Sequence, residues 1–170
     1  MEPRKEVPGL IARTHRRHDW SLYCWQKRPI WYGYSNRDRL ADKEKTMEKL
    51  LLVEDERSIS MVLKAYLKKA GYAVEQAFNG RQAVSMFTEG KPSLVILDLM
   101  LPDTDGFTVL RWIREQNTCP VVILSALSSD ECIVRGLNAG ADEYICKPFV
   151  GEEVVERVRE VLNRRGRVER

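Results

Sequence analysis

Three short apolar runs without alternating polar residues limit what this chain can fold into. They are KLLLV at 49–53, SLVIL at 93–97 and PVVIL at 120–124. Strands of this composition are covered on both faces, which is typical of a parallel sheet with helices on either side. After the first run, apolar residues recur at helical spacing from Ile59 to Ala70, and Gly71 is placed to close that helix. The pattern therefore predicts an α/β domain.

Strand and helix patterns alternate five times between 49 and 164. The remaining predicted strands are 72–77 and 142–146, and the remaining predicted helices are 81–89, a segment around 107–113, 130–139 and 151–164. Asn79-Gly80 is typical of a turn. The second strand carries Glu75 and Gln76, so we place it at an edge of the sheet. Because crossovers are right-handed, we predict a flavodoxin-like doubly wound (βα)5 sandwich with a parallel five-stranded sheet in the order 2-1-3-4-5.

The first 46 residues differ from the rest of the chain in charge and pattern. They carry 11 Lys/Arg against 6 Asp/Glu, a balance of +5, whereas residues 47–170 carry 17 against 19, a balance of −2. They hold three of the four tryptophans but show no sustained period. We expect a disordered extension or a mis-assigned start, since Met47 immediately precedes the first strand. The alternative is a basic, aromatic arm for nucleic acid or an anionic membrane.

The cysteines and the hydropathy of the chain bear on its location. No apolar run is long enough to span a bilayer, and no secretory signal follows the basic N-terminus. Cys24, Cys119, Cys132 and Cys146 are scattered, without a C-x-x-C pair. This spacing argues against a disulfide framework or a zinc site and fits a reducing cytoplasm. We interpret the last three as small buried hydrophobic residues.

Polar residues follow four of the predicted strands directly. Glu54 and Asp55 follow the first, Asp98 the third, Ser125 the fourth and Lys147 the fifth. Ligands of such sheets lie beyond the carboxyl ends of the strands, so we expect these side chains to meet there. Crowded carboxylates repel one another, which raises their pKa values, and they suit a hard cation such as Mg²⁺. With a lysine and a hydroxyl nearby, Asp98 is predicted to be a nucleophile that forms an aspartyl phosphate.

Four segments carry a resemblance to a known family. The stretches LLLVEDE, LVILDLMLPDTDGF, PVVILSA and GADEYICKPF occur in this order across the domain. From Met47 to about Arg164 the chain resembles a receiver (CheY-like) domain of a bacterial two-component response regulator. Residues 165–170 would then be a C-terminal tail or the start of a linker.

The resemblance implies a metal-dependent phosphorylation site. A sensor histidine kinase, or a small phosphodonor, would transfer its phosphoryl group to Asp98 in a Mg²⁺-dependent reaction. Asp55 and Asp98 would bind Mg²⁺ directly, Glu54 would act mainly through metal-bound water, and the backbone carbonyl of Met100 would supply a further ligand.

The resemblance also implies how the phosphoryl group is held and sensed. Lys147 would pair with it, or with Asp98 before it arrives, and Ser125 would bond one of its oxygens. Ala126 is small, as access to the phosphoryl group requires. Tyr144 matches a switching aromatic residue that turns inward when Ser125 moves. Lys147 and Pro148 stand where the family usually has a cis peptide bond.

Within the family, the chain is most like the OmpR/PhoB-type group, whose receivers dimerise through the fourth helix, the fifth strand and the fifth helix. We expect phosphorylation to switch that face and to regulate transcription through an output domain absent from this sequence, so that DNA is reached only through that domain. Ile133 stands where a basic residue is common, which weakens the expectation of a dimer. The charged residues that match the dimer face are Asp142, Glu143, Glu153, Arg157 and Arg164.

Three other interpretations were weighed. A stand-alone receiver would act by protein contact alone. A haloacid-dehalogenase-type phosphatase would need a second aspartate at the position of Met100, so we expect signalling in place of enzymatic turnover, with catalysis limited to the domain's own phosphorylation and dephosphorylation. Asp103 and Asp105 resemble calcium ligands, but the remaining EF-hand ligands are missing, so we assign them to turn chemistry.

Overall fold

The computed structural model describes residues 47–116 and 118–168, with side chains described as far as Arg165. The predictions made for residues 1–46 therefore lie outside the described residues. Every helix in the described part of the chain is too short or too polar to span a bilayer.

Five strands and five helices alternate along the described chain. They are β1 (Lys49–Val53), α1 (Arg57–Lys69), β2 (Ala73–Ala77), α2 (Gly80–Gly90), β3 (Leu94–Leu97), α3 (Gly106–Gln116), β4 (Val121–Ser125), α4 (Asp130–Asn138), β5 (Glu143–Cys146) and α5 (Gly151–Val168). All strand pairs are parallel, and the sheet order is β2-β1-β3-β4-β5. The predicted fold and strand order are confirmed, with β2 at one edge.

The sheet separates two apolar clusters, because neighbouring residues of a strand point to opposite faces. In β1, Leu51 and Val53 belong to the cluster under α2 and α3, whereas Leu50 and Leu52 belong to the cluster under α1 and α5. Every residue of β3 is buried, as expected for a strand covered on both faces. The absence of polar alternation in the sequence therefore has a direct cause in this layered packing.

The helix ends use local chemistry that the sequence indicates only in part. Gly71 has a φ of 96°, a value that favours glycine, and it follows α1 as predicted. Asn79 does more than form a turn, because its side chain accepts a hydrogen bond from the N–H of Gln82 and caps α2. The Gln82 side chain accepts the N–H of Phe78 in return, which completes a reciprocal cap.

The last helix runs four residues beyond the predicted end at Arg164, to Val168. The apolar period stops at Leu162, so the pattern alone does not support the last turn. Two ion pairs join this end of the helix to β5 and to the residue before it: Arg164 lies 3.2 Å from Glu143 and Arg165 lies 3.8 Å from Asp142.

Of the cysteines within the described residues, Cys119 is buried, as interpreted from the sequence, whereas Cys132 and Cys146 are only half-buried. Burial raises the pKa of the Cys119 thiol to about 11.

Candidate functional site

The carboxyl ends of β1 and β3 lie side by side, and this places two carboxylates together. Val53 is paired with Leu97 in the parallel register, so Glu54 and Asp98 leave the sheet next to each other. The backbone continues the ladder for one further step, since the N–H of Asp98 donates to the carbonyl of Val53 at 2.9 Å. Both side chains are buried, with Glu54 0% and Asp98 3% exposed.

Asp55 completes an acidic cluster with these two residues. One carboxylate oxygen from each of Glu54, Asp55 and Asp98 lies within 4.8 Å of the others. Glu54 and Asp98 are buried, while Asp55 is exposed at the rim and keeps the cluster open to solvent. A set of carboxylate oxygens that is open on one side suits a hard divalent cation that retains several waters. The three residues form a group that could hold a metal ion, and their oxygen donors suit the predicted Mg²⁺.

Lys147 supplies the positive charge of the site. Its Nζ lies 2.6 Å from Asp98 Oδ2 and 2.8 Å from Glu54 Oε2. The Lys147–Pro148 peptide bond is cis, and the N–H of Lys147 donates to the carbonyl of Ser125. Burial lowers the pKa of Lys147, but the hydrogen bonds to Asp98 and Glu54 outweigh it, so the pKa of Lys147 is raised from 10.5. The lysine is therefore held charged between two buried carboxylates.

The pKa of Glu54 is raised by its surroundings. Burial is the largest cause and raises the pKa of Glu54 from 4.5; Lys147 lowers it, and repulsion from Asp98 adds a smaller upward shift. We expected mutual repulsion to raise the pKa in this cluster. For Glu54 the direction agrees, but desolvation is the larger cause.

The β3–α3 loop, residues 98–105, folds back toward Asp98. The N–H of Met100 donates to Asp98 Oδ1 at 2.9 Å, and Met100 forms an isolated antiparallel bridge with Asp105. Gly106 closes the loop by donating its N–H to the carbonyl of Leu99. A Cβ on Gly106 would lie 2.5 Å from Leu99 Cα, so only glycine allows this approach. The predicted carbonyl ligand, that of Met100, is thus in a loop anchored on Asp98.

Sequence analysis missed the role of Asp103 in this loop. Its carboxylate accepts the N–H of Gly80 at 2.7 Å and that of Arg81 at 3.1 Å, so it caps α2 from a distant part of the chain. These bonds, the one from Gly80 first, lower the pKa of Asp103 against the opposing effect of burial. An aspartate in a turn carries no local signal of such a partner. The Asn79-Gly80-x-Gln82 cap could have been recognised from its spacing.

Ser125 and Tyr144 lie on the other side of the site. Ser125 is buried, and its Oγ accepts the N–H of Leu127 at 3.3 Å. The Tyr144 hydroxyl donates to the Leu127 carbonyl at 2.6 Å, which ties β5 to the loop after β4. Burial raises the pKa of Tyr144 to about 12, and a hydrogen bond with Ser125 opposes the shift. Ala126 is exposed between these residues.

The five charged residues predicted for a dimer face lie on α5, on β5 and just before it. Asp142 accepts hydrogen bonds from Arg114 at 3.0 Å and from the N–H of Val121 at 2.9 Å, while Glu143 pairs with Arg164. Arg157 pairs with Glu160 inside α5 at 3.5 Å, and Glu153 is half-buried. The structure therefore places Asp142, Glu143 and Arg164 in contacts within the chain. On α4, Val134 and Leu137 are exposed.

A family model described as the response regulator receiver domain matches residues 50–159. The transcriptional regulatory protein ResD of Bacillus subtilis (strain 168) is 43% identical over 116 residues, which is 68% of this chain and 48% of that protein. The chain spans about half the length of the curated relatives it matches.

Solved structures agree with the sequence relatives. The beryllofluoride-activated receiver domain of Klebsiella pneumoniae RstA is 36% identical with a TM-score of 0.65, and the match covers 68% of this chain and 98% of that one. Thermotoga maritima DrrB, described as an OmpR/PhoB homologue, is 34% identical with a TM-score of 0.66, covering 71% of this chain and 54% of that one.

Proposed function

This chain belongs to the receiver domain family of two-component response regulators and is similar to its OmpR/PhoB-type members, and from that premise we propose that Asp98 accepts a phosphoryl group from a sensor histidine kinase. Receiver domains of this family are signalling proteins.

One observation carries the proposal: Asp98 lies beside two further carboxylates and within 2.6 Å of a lysine ammonium. In the transfer, an oxygen of Asp98 attacks phosphorus, the bond from phosphorus to the donor nitrogen breaks, and the electron pair leaves with the imidazole. A Mg²⁺ ion held by Asp55, Asp98 and the Met100 carbonyl, with Glu54 acting through water, would neutralise charge on the phosphoryl oxygens.

The chain's own residues then hold the product. Lys147, which now bridges Asp98 and Glu54, turns its ammonium to a phosphoryl oxygen while remaining close to the carboxylates. The Ser125 hydroxyl donates to a second oxygen, and a shift of Ser125 toward that oxygen would stretch the hydrogen bond that its Oγ now accepts from the N–H of Leu127. The small, exposed side chain of Ala126 leaves a path by which the phosphodonor approaches.

Tyr144 transmits this change to the surface. Its hydroxyl donates a hydrogen bond to the carbonyl of Leu127, so a movement of Ser125 and of the loop after β4 would displace the side chain of Tyr144 on β5. The ring packs against Gly136 of α4, where a Cβ would lie 2.8 Å from the Tyr144 ring. The face made by α4, β5 and α5 is therefore the one we propose to switch, through a phosphorylation-dependent homodimer.

We propose transcription control as the output, since ResD, named above, is a transcriptional regulatory protein about twice as long as the matched region. DNA would be bound by an output domain and not by the described residues. The alternative is a stand-alone receiver that acts by protein contact. A phosphatase is disfavoured because Met100, at the position of the needed acid, offers no proton.

The test is intact mass after incubation with acetyl phosphate and Mg²⁺, on the wild-type protein and on Asp98→Asn. We expect one added phosphoryl group on the wild type, none on Asp98→Asn, and none on the wild type when EDTA removes the cation. Labelling of Asp98→Asn to the same extent would refute the assignment of the acceptor. Size-exclusion chromatography with beryllofluoride tests the dimer, and an unchanged monomer would contradict it.

A further inference from the structure

The Asp103 cap joins the β3–α3 loop to a helix that takes no part in the proposed chemistry. We define it as the two hydrogen bonds from the backbone N–H groups of Gly80 and Arg81 to the Asp103 carboxylate, at 2.7 and 3.1 Å. The guanidinium of Arg81 adds little, since its Nε is 4.0 Å away on a side chain that is 93% exposed. The contact is therefore made by the carboxylate and the backbone of the first turn of α2.

Gly80 shows how closely the two segments approach. A Cβ at Gly80 would lie 2.2 Å from Thr104 Cγ2 and 3.3 Å from Asp103 Oδ1. Any other residue would push the loop away from α2 or force the side chain of Thr104 to move. Glycine at this position and aspartate at 103 together allow the loop to lie directly on the helix terminus.

The inner part of the loop has fewer supports. Leu101 packs against the core. Among the described residues, Asp103 makes the one polar contact that joins residues 100–104 to another helix or strand, which is α2. Met100 itself is 57% exposed, and its backbone is held by the bond to Asp98 and the bridge to Asp105. The loop is thus fixed at its base by Asp98 and by the Met100–Asp105 bridge, and between these points by the contact of Asp103 with α2.

We propose that Asp103 is a positioning residue for the metal site: by capping α2, it holds the backbone of Met100 where its carbonyl can bind the cation. The inference rests on the proposed function, because it assumes that the carbonyl is a ligand. Partners outside the first ring of ligands contribute to affinity by restricting the ligands' motion. Loss of the Asp103 cap should weaken cation binding even though Asp103 does not touch the cation.

Asn79 provides a matched control within the same helix. Its side chain also caps α2, through the N–H of Gln82 at 2.9 Å, but it is not part of the β3–α3 loop. Asp103→Ala and Asn79→Ala each remove an α2 cap, so both should lower the thermal midpoint. Only Asp103→Ala releases the loop, and Asp103→Asn, which keeps one acceptor oxygen, should fall between it and the wild type.

The experiment measures binding of Mn²⁺ to the full chain by electron paramagnetic resonance, with displacement by Mg²⁺. We expect the dissociation constant to rise about tenfold in Asp103→Ala and to stay at the wild-type value in Asn79→Ala. With acetyl phosphate, the Mg²⁺ concentration for half-maximal labelling should rise by the same factor, while the rate at saturating Mg²⁺ is retained.

Two outcomes would overturn the proposal, and they differ in what they leave standing. Equal affinity in Asp103→Ala and Asn79→Ala would show that Asp103 is only a cap, with the phosphorylation site intact. If the wild-type chain binds no Mn²⁺, or if Asp55→Asn binds Mn²⁺ with the same affinity as the wild type, the metal site itself is refuted and the proposed function with it.

Discussion

Replacement of Lys147 by methionine tests the energetics of the site most directly. Methionine is similar in length, so packing is retained while the ammonium is lost. Glu54 and Asp98 would then be two buried carboxylates without the cation that now lies 2.8 and 2.6 Å from them. Breaking a buried pair by removing one partner costs about 3–5 kcal/mol. Because the Lys147 side chain is 18% exposed, we take the lower end, about 3 kcal/mol.

The pH dependence gives this prediction a sign. A carboxyl group whose pKa is raised by folding stabilises the fold at pH values below its unfolded pKa, and this contribution is lost as the pH rises through the folded pKa. The pKa of Glu54 is already raised from 4.5 by burial, and loss of Lys147 removes the group that lowers it most. The loss of free energy of unfolding in Lys147→Met, relative to the wild type, should thus be largest near neutral pH and should shrink as the pH falls toward 4.5.

Urea unfolding at several pH values measures the deficit, with Lys64→Met as the control. Lys64 donates to the neutral side chain of Gln76 at 2.6 Å, so its loss leaves no carboxylate unpaired and should cost below about 1 kcal/mol. In thermal melts, about 3 kcal/mol corresponds to roughly 10 °C for a domain of this size. A deficit in Lys147→Met below about 1 kcal/mol, or one that does not change with pH, would refute the reasoning.

Three further predictions follow from single contacts. Gly106→Ala should lower the free energy of unfolding by about 2–3 kcal/mol, because the new Cβ would lie 2.5 Å from the backbone atom Leu99 Cα. The control, Gly90→Ala, should be nearly neutral, because its Cβ would lie 2.9 Å from the flexible end of a glutamate side chain. Equal urea midpoints for the two variants would contradict this prediction. Burial raises the pKa of Cys119 to about 11, so iodoacetamide near neutral pH should leave it unmodified in peptide mass spectra of native protein, and labelling as fast as in urea would count against its burial. Tyr144→Phe should lose one hydrogen bond to the loop after β4, a cost of about 1 kcal/mol in urea unfolding; a loss above about 3 kcal/mol would mean that the ring, and not the hydroxyl, had moved.

The fold was predictable because its signal is local and repeated. The runs at 50–53, 94–97 and 121–124 lack polar alternation for one reason, which is helix packing on both faces of the sheet. In a parallel sheet, the residues that follow the strands all emerge on the same side, where the carboxyl ends of the strands lie. The meeting of Glu54, Asp98 and Lys147 therefore followed from their positions along the chain.

The features that sequence analysis missed depend on partners far away in the chain. Asp103 caps a helix that begins 23 residues earlier, and nothing around it in the sequence indicates that contact. The end of α5 pairs with β5 through Arg164 and Glu143, which are separated by 21 residues. The main cause of the raised pKa of Glu54, its burial, depends on how completely the surrounding side chains exclude water. Periodicity and composition carry no information on these long-range contacts or on the burial of Glu54.

The division of the interior into two apolar clusters has a consequence for how substitutions combine. Tyr144 packs on the α2–α3 side, whereas Ile145, the next residue, packs on the α1–α5 side. Substitutions at sites that share no contacts change the free energy of unfolding additively, and a core tolerates substitutions best when its total volume is kept. Volume-conserving substitutions in the cluster under α1 and α5 should therefore add to those in the cluster under α2 and α3, without the coupling that residues in contact show.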